Sequence, residues 1–452
     1  MRRPLPSNCI LNCILGTCCM LLSAAAPRSA LGGGVGSAGQ ATGSPSTGAR
    51  ETPSLESGDI GVGLFSSIPF HVTVTVRGGY DDNTTTSSGS GQGSGFVNSA
   101  INLTYDFGSP RTRFSLQTGG GLTYYLDRPG QKDPDYNAYL GLSLKHLFSP
   151  RLILNVSAYA AYQAEPDFSV GTGFNRRSGN YFYTSDKFTL SYLWTPRFST
   201  ATSYTFGALL YDNTGSSGVG SFENRIENTF GNEFRFLFWP ATTLVAEYRI
   251  EFTAYQSSNA DAVSQFLLAG FDHSFSPEFN ASFRGGFQIR SLDFTQMIPA
   301  SIQIVNGFLT FVPAQTIHTS TDSTSPYFEA TLNYAVGKKT SLSWTNRYGI
   351  EEPDIPGQPK RVTFRTGLEA KYNWTPRISS RLAMFYGHDD YSGNATSPAF
   401  VEDSIDVALS LRYAITRYLG VEVGYNHTEI LSDVSLREYS RNRFYAGADF
   451  SF

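Results

Sequence analysis

The sequence predicts an all-β fold, a transmembrane antiparallel up-and-down β-barrel of about 18 strands, within a range of roughly 16–18. Three observations predict it. Segments of about ten residues alternate apolar and polar side chains, the period of a strand with one apolar and one wet face. The connections between these segments alternate between short turns and long polar loops. Aromatic residues flank both kinds of break, as the aromatic girdles of a membrane barrel do.

The last residues, Ser440 to Phe452, show the alternation clearly. Phe450 and Phe452 share one parity, while Asp449 and Ser451 occupy the other. A bare aromatic strand is unusual at the edge of a soluble sheet, whereas closing a barrel removes the edge. We therefore expect Phe450 and Phe452 to belong to the barrel-closing strand. Its aromatic end also resembles the terminal strand that the barrel-assembly machinery reads in bacterial outer membranes. The final strand of a soluble sandwich is the alternative.

The start of the chain predicts export. Arg2 and Arg3 precede an apolar run from Cys9 to Leu22, and small residues follow, which is the pattern of a secretory signal peptide over residues 1–26. All four cysteines lie in this segment. The mature chain is therefore expected to lack disulfides and thiol chemistry. A lipoprotein signal ending at Cys18 is an alternative that the preceding residues fit poorly.

The rest of the chain divides into two parts. Residues 27–65 are rich in Gly, Ser and Ala and predict a flexible leader, which leaves residues 66–452 for the barrel. Charged residues make up 16% of the chain, fewer than in most soluble domains. The net charge of −4 gives no reason to expect nucleic acid as a partner. We expect outer-membrane lipid as the surroundings, and neither a cofactor nor a metal.

The short turns share a pattern. Most place a proline one or two residues after an aromatic side chain, and proline fixes the φ angle of a turn while it cannot continue a central ladder. Eight turns of this kind, with two strands each and one strand at either end, account for the predicted strand number. The turns with proline include Phe148-Ser149-Pro150-Arg151, Trp194-Thr195-Pro196-Arg197, Phe275-Ser276-Pro277-Glu278 and Trp374-Thr375-Pro376-Arg377.

Charged residues on the strands are expected to face the lumen, because a charge on the lipid face costs about 2–4 kcal/mol near the membrane midplane. They interleave with apolar residues, and both signs are present. A water-filled pore that admits polar solutes is one interpretation; pairing that only holds the wall rigid is the other. The predicted lumen-lining residues are Glu247, Arg249, Glu251, Arg284, Arg290, Arg347, Arg365, Glu369, Lys371, Arg381 and Arg412.

One predicted loop is long and apolar. Thr295 to Ser323 contains Ile304, Phe308, Leu309 and Phe311, which a loop in water has no reason to carry. Prolines within it disfavour a long regular strand. We expect a compact fold-back that constricts the channel. An extra hairpin that packs over the mouth, or packing against another subunit, is the alternative.

The stretch Gly79-Tyr80-Asp81-Asp82-Asn83, together with the repeated hairpins over residues 68–452, resembles the putative β-barrel porin type 2 family of Gram-negative outer membranes. The resemblance implies the cell outer membrane as the location and a porin-like channel for passive diffusion of small polar solutes. It also implies that the solutes are saccharides or that the protein is linked to exopolysaccharide export. The long apolar loop and the leader depart from the family.

Two rival functions come from other classes. An outer-membrane hydrolase would need a nucleophile and a base held together. His388-Asp389-Asp390 is the one stretch that suggests it, but adjacent strand residues point to opposite faces. We therefore expect no enzyme and no catalytic residues. A barrel-anchored surface binding or adhesion protein is the other rival, with its function carried by the loops.

Overall fold

The computed structural model describes residues 70–89, 91–128, 134–163, 180–212, 223–256, 260–298, 301–305, 308–312, 315–337, 339–355, 358–393 and 398–452. The predicted signal peptide, 1–26, and the leader, 27–65, lie outside these residues. In the part of the chain that the structure describes, no helix has the length and hydropathy needed to cross a membrane.

The described chain is built from β-strands. The strands are β1 (Phe70–Asp81), β2 (Ser94–Gly108), β3 (Thr112–Tyr125), β4 (Asp135–Leu147), β5 (Leu152–Gln163), β6 (Tyr181–Thr195), β7 (Phe198–Tyr211), β8 (Arg225–Trp239), β9 (Thr242–Tyr255), β10 (Ala260–Ser276), β11 (Phe279–Ile298), β12 (Ser301–Val305), β13 (Phe308–Val312), β14 (Gln315–Val336), β15 (Thr340–Glu351), β16 (Arg361–Asn373), β17 (Ile378–Tyr391), β18 (Phe400–Ala414), β19 (Leu419–Ser432) and β20 (Tyr439–Ser451).

One closed antiparallel sheet contains 18 of these strands, while β12 and β13 pair with each other. Strands that follow one another along the chain pair in the sheet, β14 pairs with β11, and β1 pairs with β20. The predicted fold class, an antiparallel up-and-down barrel of about 18 strands, is confirmed. Closure gives each of the 18 strands of this sheet two neighbours, as spanning a membrane requires.

The short turns are stabilised by a hydroxyl that stands before the proline. Thr195 Oγ1 accepts hydrogen bonds from the backbone N–H of Arg197 and of Phe198, at 3.3 and 3.0 Å. Thr375 and Ser276 make the same pair of contacts in their own turns. Such bonds replace backbone partners that a tight turn cannot supply. These connections define the short-turn end of the barrel; the long loops define the opposite, long-loop end.

The seam between β1 and β20 contains the Gly79–Asn83 motif. Nine residue pairs join the two strands. Asp81 is fully buried, accepts a hydrogen bond from Arg441 Nε at 3.0 Å and lies 3.4 Å from Arg443 Nε. Asp82 accepts two more from Asn442, at 2.6 and 2.7 Å. The motif that carries the family resemblance therefore joins the first strand to the last.

The aromatic end of β20 lies on the same seam. Phe450 stands opposite Val74 in the register. The backbone of Phe452 exchanges two hydrogen bonds with that of Val72, at 2.8 and 3.1 Å. Recognition of Phe450 and Phe452 by the barrel-assembly machinery stays a prediction.

The predicted constriction segment forms a tall hairpin. Strands β11 and β14 pair without interruption from Phe279 opposite Tyr334 to Ile298 opposite Gln315, and β12 with β13 adds a further short hairpin. The expected compact fold-back of Thr295–Ser323 is therefore wrong, and the segment forms a hairpin, as the alternative had it. The physical reason is that continued pairing satisfies backbone groups that a compact apolar loop would have to bury without partners.

The four apolar residues named for that segment lie in β12 and β13. Phe311 is 67% exposed. The side chains of Ile304, Phe308 and Leu309 lie outside the described residues. A constriction of the channel by this hairpin stays a prediction. Among the described residues, the loop between β15 and β16 is the one that contacts the inner wall.

We expect the substitution Asp81→Ala to weaken closure of the barrel. It leaves Arg441 and Arg443 at the seam without their shared carboxylate, a loss of about 3 kcal/mol for a buried charge that loses its partner. The measurement is the temperature at which the folded band converts to the unfolded band in a detergent gel. Asp127→Ala, at an exposed position near the same end, is the control. Equal conversion temperatures for the two variants would contradict the role of Asp81.

Candidate functional site: the charged inner wall and an inward loop

One ion pair shows which strand face is the inner one. Arg249 Nη2 of β9 lies 2.7 Å from Glu329 Oε1 of β14, and the strands β10 and β11 stand between them. Two side chains can meet over two intervening strands only across the concave surface. On β8, Phe234 and Phe236 of the opposite face are 46% and 44% exposed, as lipid-facing residues should be.

The structure places all eleven predicted lumen-lining residues on this inner face. Pairings over an intervening strand set the face directly in two more places. Arg235 of β8 pairs with Asp272 of β10, and Arg412 Nε of β18 lies 3.0 Å from Asp449 Oδ1 of β20. For the remaining residues the face follows from the strand registers, because residues directly opposite each other lie on the same face of the sheet. Their contact with solutes stays a prediction.

Most of the charged side chains described on the inner wall toward the long-loop end are buried and form ion pairs. Arg361 is fully buried and lies 2.9 Å from Glu351 Oε2. Arg365 shares the same carboxylate and reaches the buried Asp389 at 3.3 Å. Thr363 donates a hydrogen bond to Asp389 as well, at 2.7 Å. A buried charge is tolerated only with such partners, so this network stabilises the wall, as the second interpretation of the sequence proposed.

The tip of β15 leaves the wall and bends inward. Its pairing with β14 ends at Phe328 opposite Tyr348, although β14 continues toward the long-loop end. Beyond that point the backbone N–H of Ile350 donates to Gln288 Oε1 at 2.8 Å, and Gln288 Nε2 donates to the Ile350 carbonyl at 2.9 Å. Gln288 belongs to β11, so one side chain replaces the missing strand partner.

Gly349 makes this inward bend possible. A Cβ atom at this position would stand 2.5 Å from Tyr327 Cδ2 and 2.9 Å from Gln288 Oε1. Both distances are too short for a real side chain, and Tyr327 is buried. Any larger residue would therefore push the β15 tip away from β11.

The loop that follows β15 lies inside the barrel; we call residues 352–360 the inward loop, described at 352–355 and 358–360. Glu352 is 6% exposed. Its carboxylate accepts hydrogen bonds from Arg290 Nη2 and Nε, at 2.6 and 3.1 Å, and from the hydroxyl of Tyr255. These partners belong to β11 and to the end of β9, so the loop reaches over β14 to the strands beyond it.

Asp354 fixes the loop on its other side. It is 1% exposed, lies 3.0 Å from Arg437 Nη2 and accepts a hydrogen bond from the Tyr391 hydroxyl at 2.6 Å. Arg437, in the β19–β20 connection, also pairs with Glu402 of β18 at 2.7 Å. The Asp354 carbonyl accepts from the backbone N–H of Glu223, which precedes β8, at 3.1 Å. The inward loop thus joins elements on several sides of the opening.

Glu352 is also the titratable group on which the loop depends. Burial and, after it, the carboxylates of Glu251 and Glu227 raise the pKa of Glu352 well above its ordinary value, against the opposing effect of nearby arginines. The seated loop therefore favours the protonated carboxyl. Proton binding by Glu352 is therefore thermodynamically linked to the docking of the loop against the inner wall.

The stretch that suggested a hydrolase is divided between the two faces. His388 faces outward, where its Nδ1 lies 2.8 Å from Asp403 Oδ1 and Tyr386 donates to the same oxygen. Asp389 faces inward, in the network with Arg365. Across the described ranges, no serine or threonine hydroxyl is hydrogen-bonded to the His388 ring.

Sequence reasoning missed the residues that hold the inward loop. The segment between β15 and β16 is short and polar, so it was indistinguishable from an exposed loop. One signal was available: prolines 353, 356 and 359 alternate with acidic and amide residues in a segment that follows two adjacent glutamates. Rigid, proline-rich polar loops suit a fixed position.

Comparison with known proteins agrees with the architecture. Residues 319–452, which begin within β14 and run through β20, match the family model described as putative beta-barrel porin 2. The resemblance seen in the sequence is confirmed for this part of the chain. The chain is an outer-membrane, porin-like β-barrel. No curated protein matches it.

Solved structures give a weaker likeness. OccAB4 of Acinetobacter baumannii is 13% identical, with a TM-score of 0.39 over 85% of this chain and 98% of that one. The outer membrane protein opdK of Pseudomonas aeruginosa is 10% identical, with a TM-score of 0.39 over 85% and 99%. The ferric-catecholate import receptor Fiu of E. coli is 9% identical, with a TM-score of 0.38 over 84% and 81%. Likeness at this level carries no argument about function.

We expect Gly349→Val to release the inward loop and to expose the Lys360–Arg361 peptide bond to trypsin. Arg361 is fully buried, so cleavage in the parent protein should require local opening, and the variant should be cut about tenfold faster. Mass spectrometry of that bond over time is the measurement. Gly78→Val is the matched control, because its Cβ would meet only the Phe96 carbonyl, at 3.9 Å. The same cleavage rate in both variants would contradict the packing described for Gly349.

Proposed function

We propose that the protein is a passive channel for small polar solutes across the outer membrane, and that the inward loop is its constriction. The observation that supports this most is the placement of Glu352 and Asp354 inside a closed barrel, bound to Arg290 and Arg437. An inner wall of charged and hydroxyl groups stays wet, and a loop fixed across it narrows the path without a hydrophobic plug.

The nature of the cargo follows from the same wall and from the family resemblance. Saccharides, and a link to exopolysaccharide export, are the solutes that the resemblance favours. We infer passage without turnover chemistry, since His388 and Asp389 face opposite sides. Assembly through the barrel-assembly machinery, with β20 as the strand that it reads, belongs to the same proposal.

We expect the double substitution Glu352→Ala, Asp354→Ala to raise single-channel conductance in planar bilayers by about twofold, because the loop loses both of its anchors. The control is Asp403→Ala with Glu429→Ala, two carboxylates of the outer face. A folded parent barrel without conductance steps would overturn the channel. Unchanged conductance in the double variant would overturn the constriction.

A second replacement compares the two candidate constrictions. Residues 299–314 are exchanged for a short Gly-Ser linker between Ile298 and Gln315, which leaves the β11–β14 ladder in place. We expect conductance to stay as in the parent barrel, because the ladder carries this hairpin away from the inward loop. A rise in this variant alone would restore the constriction that the sequence suggested.

Conductance should also depend on pH through Glu352. Because the seated loop raises the pKa of this carboxyl, the stabilisation from the bound proton is complete at low pH and is lost as the pH rises through the raised pKa. We expect conductance in the parent barrel to increase as the pH rises through the raised pKa of Glu352, well above the range in which an ordinary glutamate titrates. Glu352→Gln, a permanently neutral side chain, should flatten the profile. A parallel profile in the variant would assign the pH dependence to other groups.

The tall β11–β14 hairpin supports a second candidate function, the binding of a partner at the cell surface. Its described side chains near the tip, Phe311 and Thr316, are exposed, and it extends beyond the neighbouring strands. Loss of cell-surface binding of that partner after removal of residues 299–314, with conductance intact, would establish this function beside the channel.

A further inference from the structure

One carboxyl group stands on the outer, lipid-facing surface of the barrel. The strand registers connect Arg249 on the inner face to Thr189 of β6, through one residue each of β8 and β7. Asp186 has the opposite parity to Thr189 along β6, so it faces outward. It is 7% exposed, and Thr184 donates a hydrogen bond to its Oδ2 at 3.3 Å. No cation pairs with it among the described residues.

Asp186 lies between the two aromatic rows that border the apolar band of the membrane. On one side, Tyr162 of β5 is nearer the long loops than Ala158, the residue opposite Asp186. On the other side, Trp194 is nearer the short turns on β6 itself and is 56% exposed. Girdles of aromatic residues flank the apolar band of such barrels. The carboxyl therefore stands where lipid tails, which supply no hydrogen bond, would surround it.

Three amide side chains on the same outer surface have donors without acceptors. Each amide oxygen accepts a hydrogen bond from a hydroxyl of the preceding strand, at 2.8 to 3.0 Å. The amide nitrogens have no partner among the described residues. An unmet donor is costly in lipid, where water cannot replace the partner. The three amides are Asn228 and Asn232 of β8 and Gln265 of β10.

The carboxyl and one of these amides flank a single residue of the strand between them. Phe206 of β7 stands opposite Asp186 on β6 and opposite Asn228 on β8. Two strand spacings, roughly 10 Å, separate the two groups on an outward-curving surface, so one copy of the chain cannot pair them. The outward side chains around Asp186 are small, with Ala158 opposite it and Ala208 buried on β7. Another surface can therefore come close.

We propose that the outer surface of β6 to β8 packs against a second copy of this chain, with the Asp186 carboxyl of each copy accepting a hydrogen bond from the Asn228 amide of the other. Contact between two identical copies about a twofold axis requires a surface that is complementary to itself. An acceptor and a donor on either side of Phe206 meet this requirement, because the axis exchanges the two sides. Lipid tails supply neither partner. The contact is independent of what the lumen conducts.

Native mass spectrometry of the purified barrel in a mild detergent tests the contact. We expect a dimer in the parent protein, and a dissociation constant that Asp186→Leu raises by about tenfold or more, because leucine accepts no hydrogen bond. Leucine suits a lipid-facing position, so the monomer should stay folded, which heat-modifiable migration checks. Asn346→Leu is the control, since Asn346 of β15 also faces outward, far from β6 in the sheet. A monomeric parent barrel, or equal dissociation constants in the two variants, would overturn the contact.

An exchange of the two residues tests which groups meet. Above neutral pH, Asn228→Asp alone places two carboxylates at each contact and should leave the barrel monomeric, because like charges repel. Adding Asp186→Asn restores a donor opposite an acceptor, and we expect the dissociation constant to return to within about threefold of the parent value. A dimer that survives Asn228→Asp, or that the second substitution does not restore, would overturn the pairing of Asp186 with Asn228.

A disulfide test in intact outer membranes identifies the occupant. All four cysteines of the sequence lie before residue 20, so Phe206→Cys adds a thiol to the barrel at the proposed axis. We expect oxidation to join two copies of this variant, because a disulfide needs Cβ atoms within about 4.5 Å of each other. Phe364→Cys, at an outward position opposite His388, should give far less of the product. A cross-link from position 206 to a different protein, or equal yields at both positions, would overturn the second copy as the occupant.

Discussion

Closure of the sheet is the constraint on which the rest of the structure depends. In a membrane every backbone group needs a partner within the protein, so the first and last strands must find each other. Nine residue pairs join β1 to β20, and Asp81 adds charged contacts to Arg441 and Arg443 of the last strand. A seam between strands distant in sequence is costly to form because the whole chain must be ordered first. Specific side-chain pairs at its long-loop end compensate part of that cost.

Closure also decides what the inner wall can contain. Side chains that face inward meet each other over intervening strands, as Arg249 and Glu329 do, so charges find partners that a flat sheet would not offer. Toward the long-loop end these partners exclude water. Removing one member of such a pair would leave a buried charge, which makes that region rigid. Near the short-turn end Arg381 and Arg412 remain partly exposed, so water reaches this part of the wall.

The periodicity of the sequence predicted those features of the fold that depend only on one strand and its neighbours. Alternation assigned residues such as Arg284 and Glu369 to the same strand face as the registers do, because the period of two is a property of the strand itself. The inward loop depends on contacts over several strands, between Glu352 and Arg290 for example, and no local pattern contains them. The apolar composition of residues 295–323 suggested burial, but the length of the β11–β14 ladder was decided by backbone pairing. Hydrophobic content alone did not discriminate between these outcomes.

The inward bend has its origin in a strand pairing that stops early. Above Phe328 and Tyr348 the strands β14 and β15 separate, and the backbone of Ile350 would lose its partners there. The Gln288 side chain supplies a donor and an acceptor in their place, while Gly349 gives Tyr327 the space that it needs. Because β15 stays paired with β16 up to Glu351 opposite Arg361, the two strand ends and the loop behave as one unit. The inward loop is therefore positioned by the wall itself, and the hydrogen bonds from Arg290 and Arg437 to its carboxyl groups determine how firmly it is held.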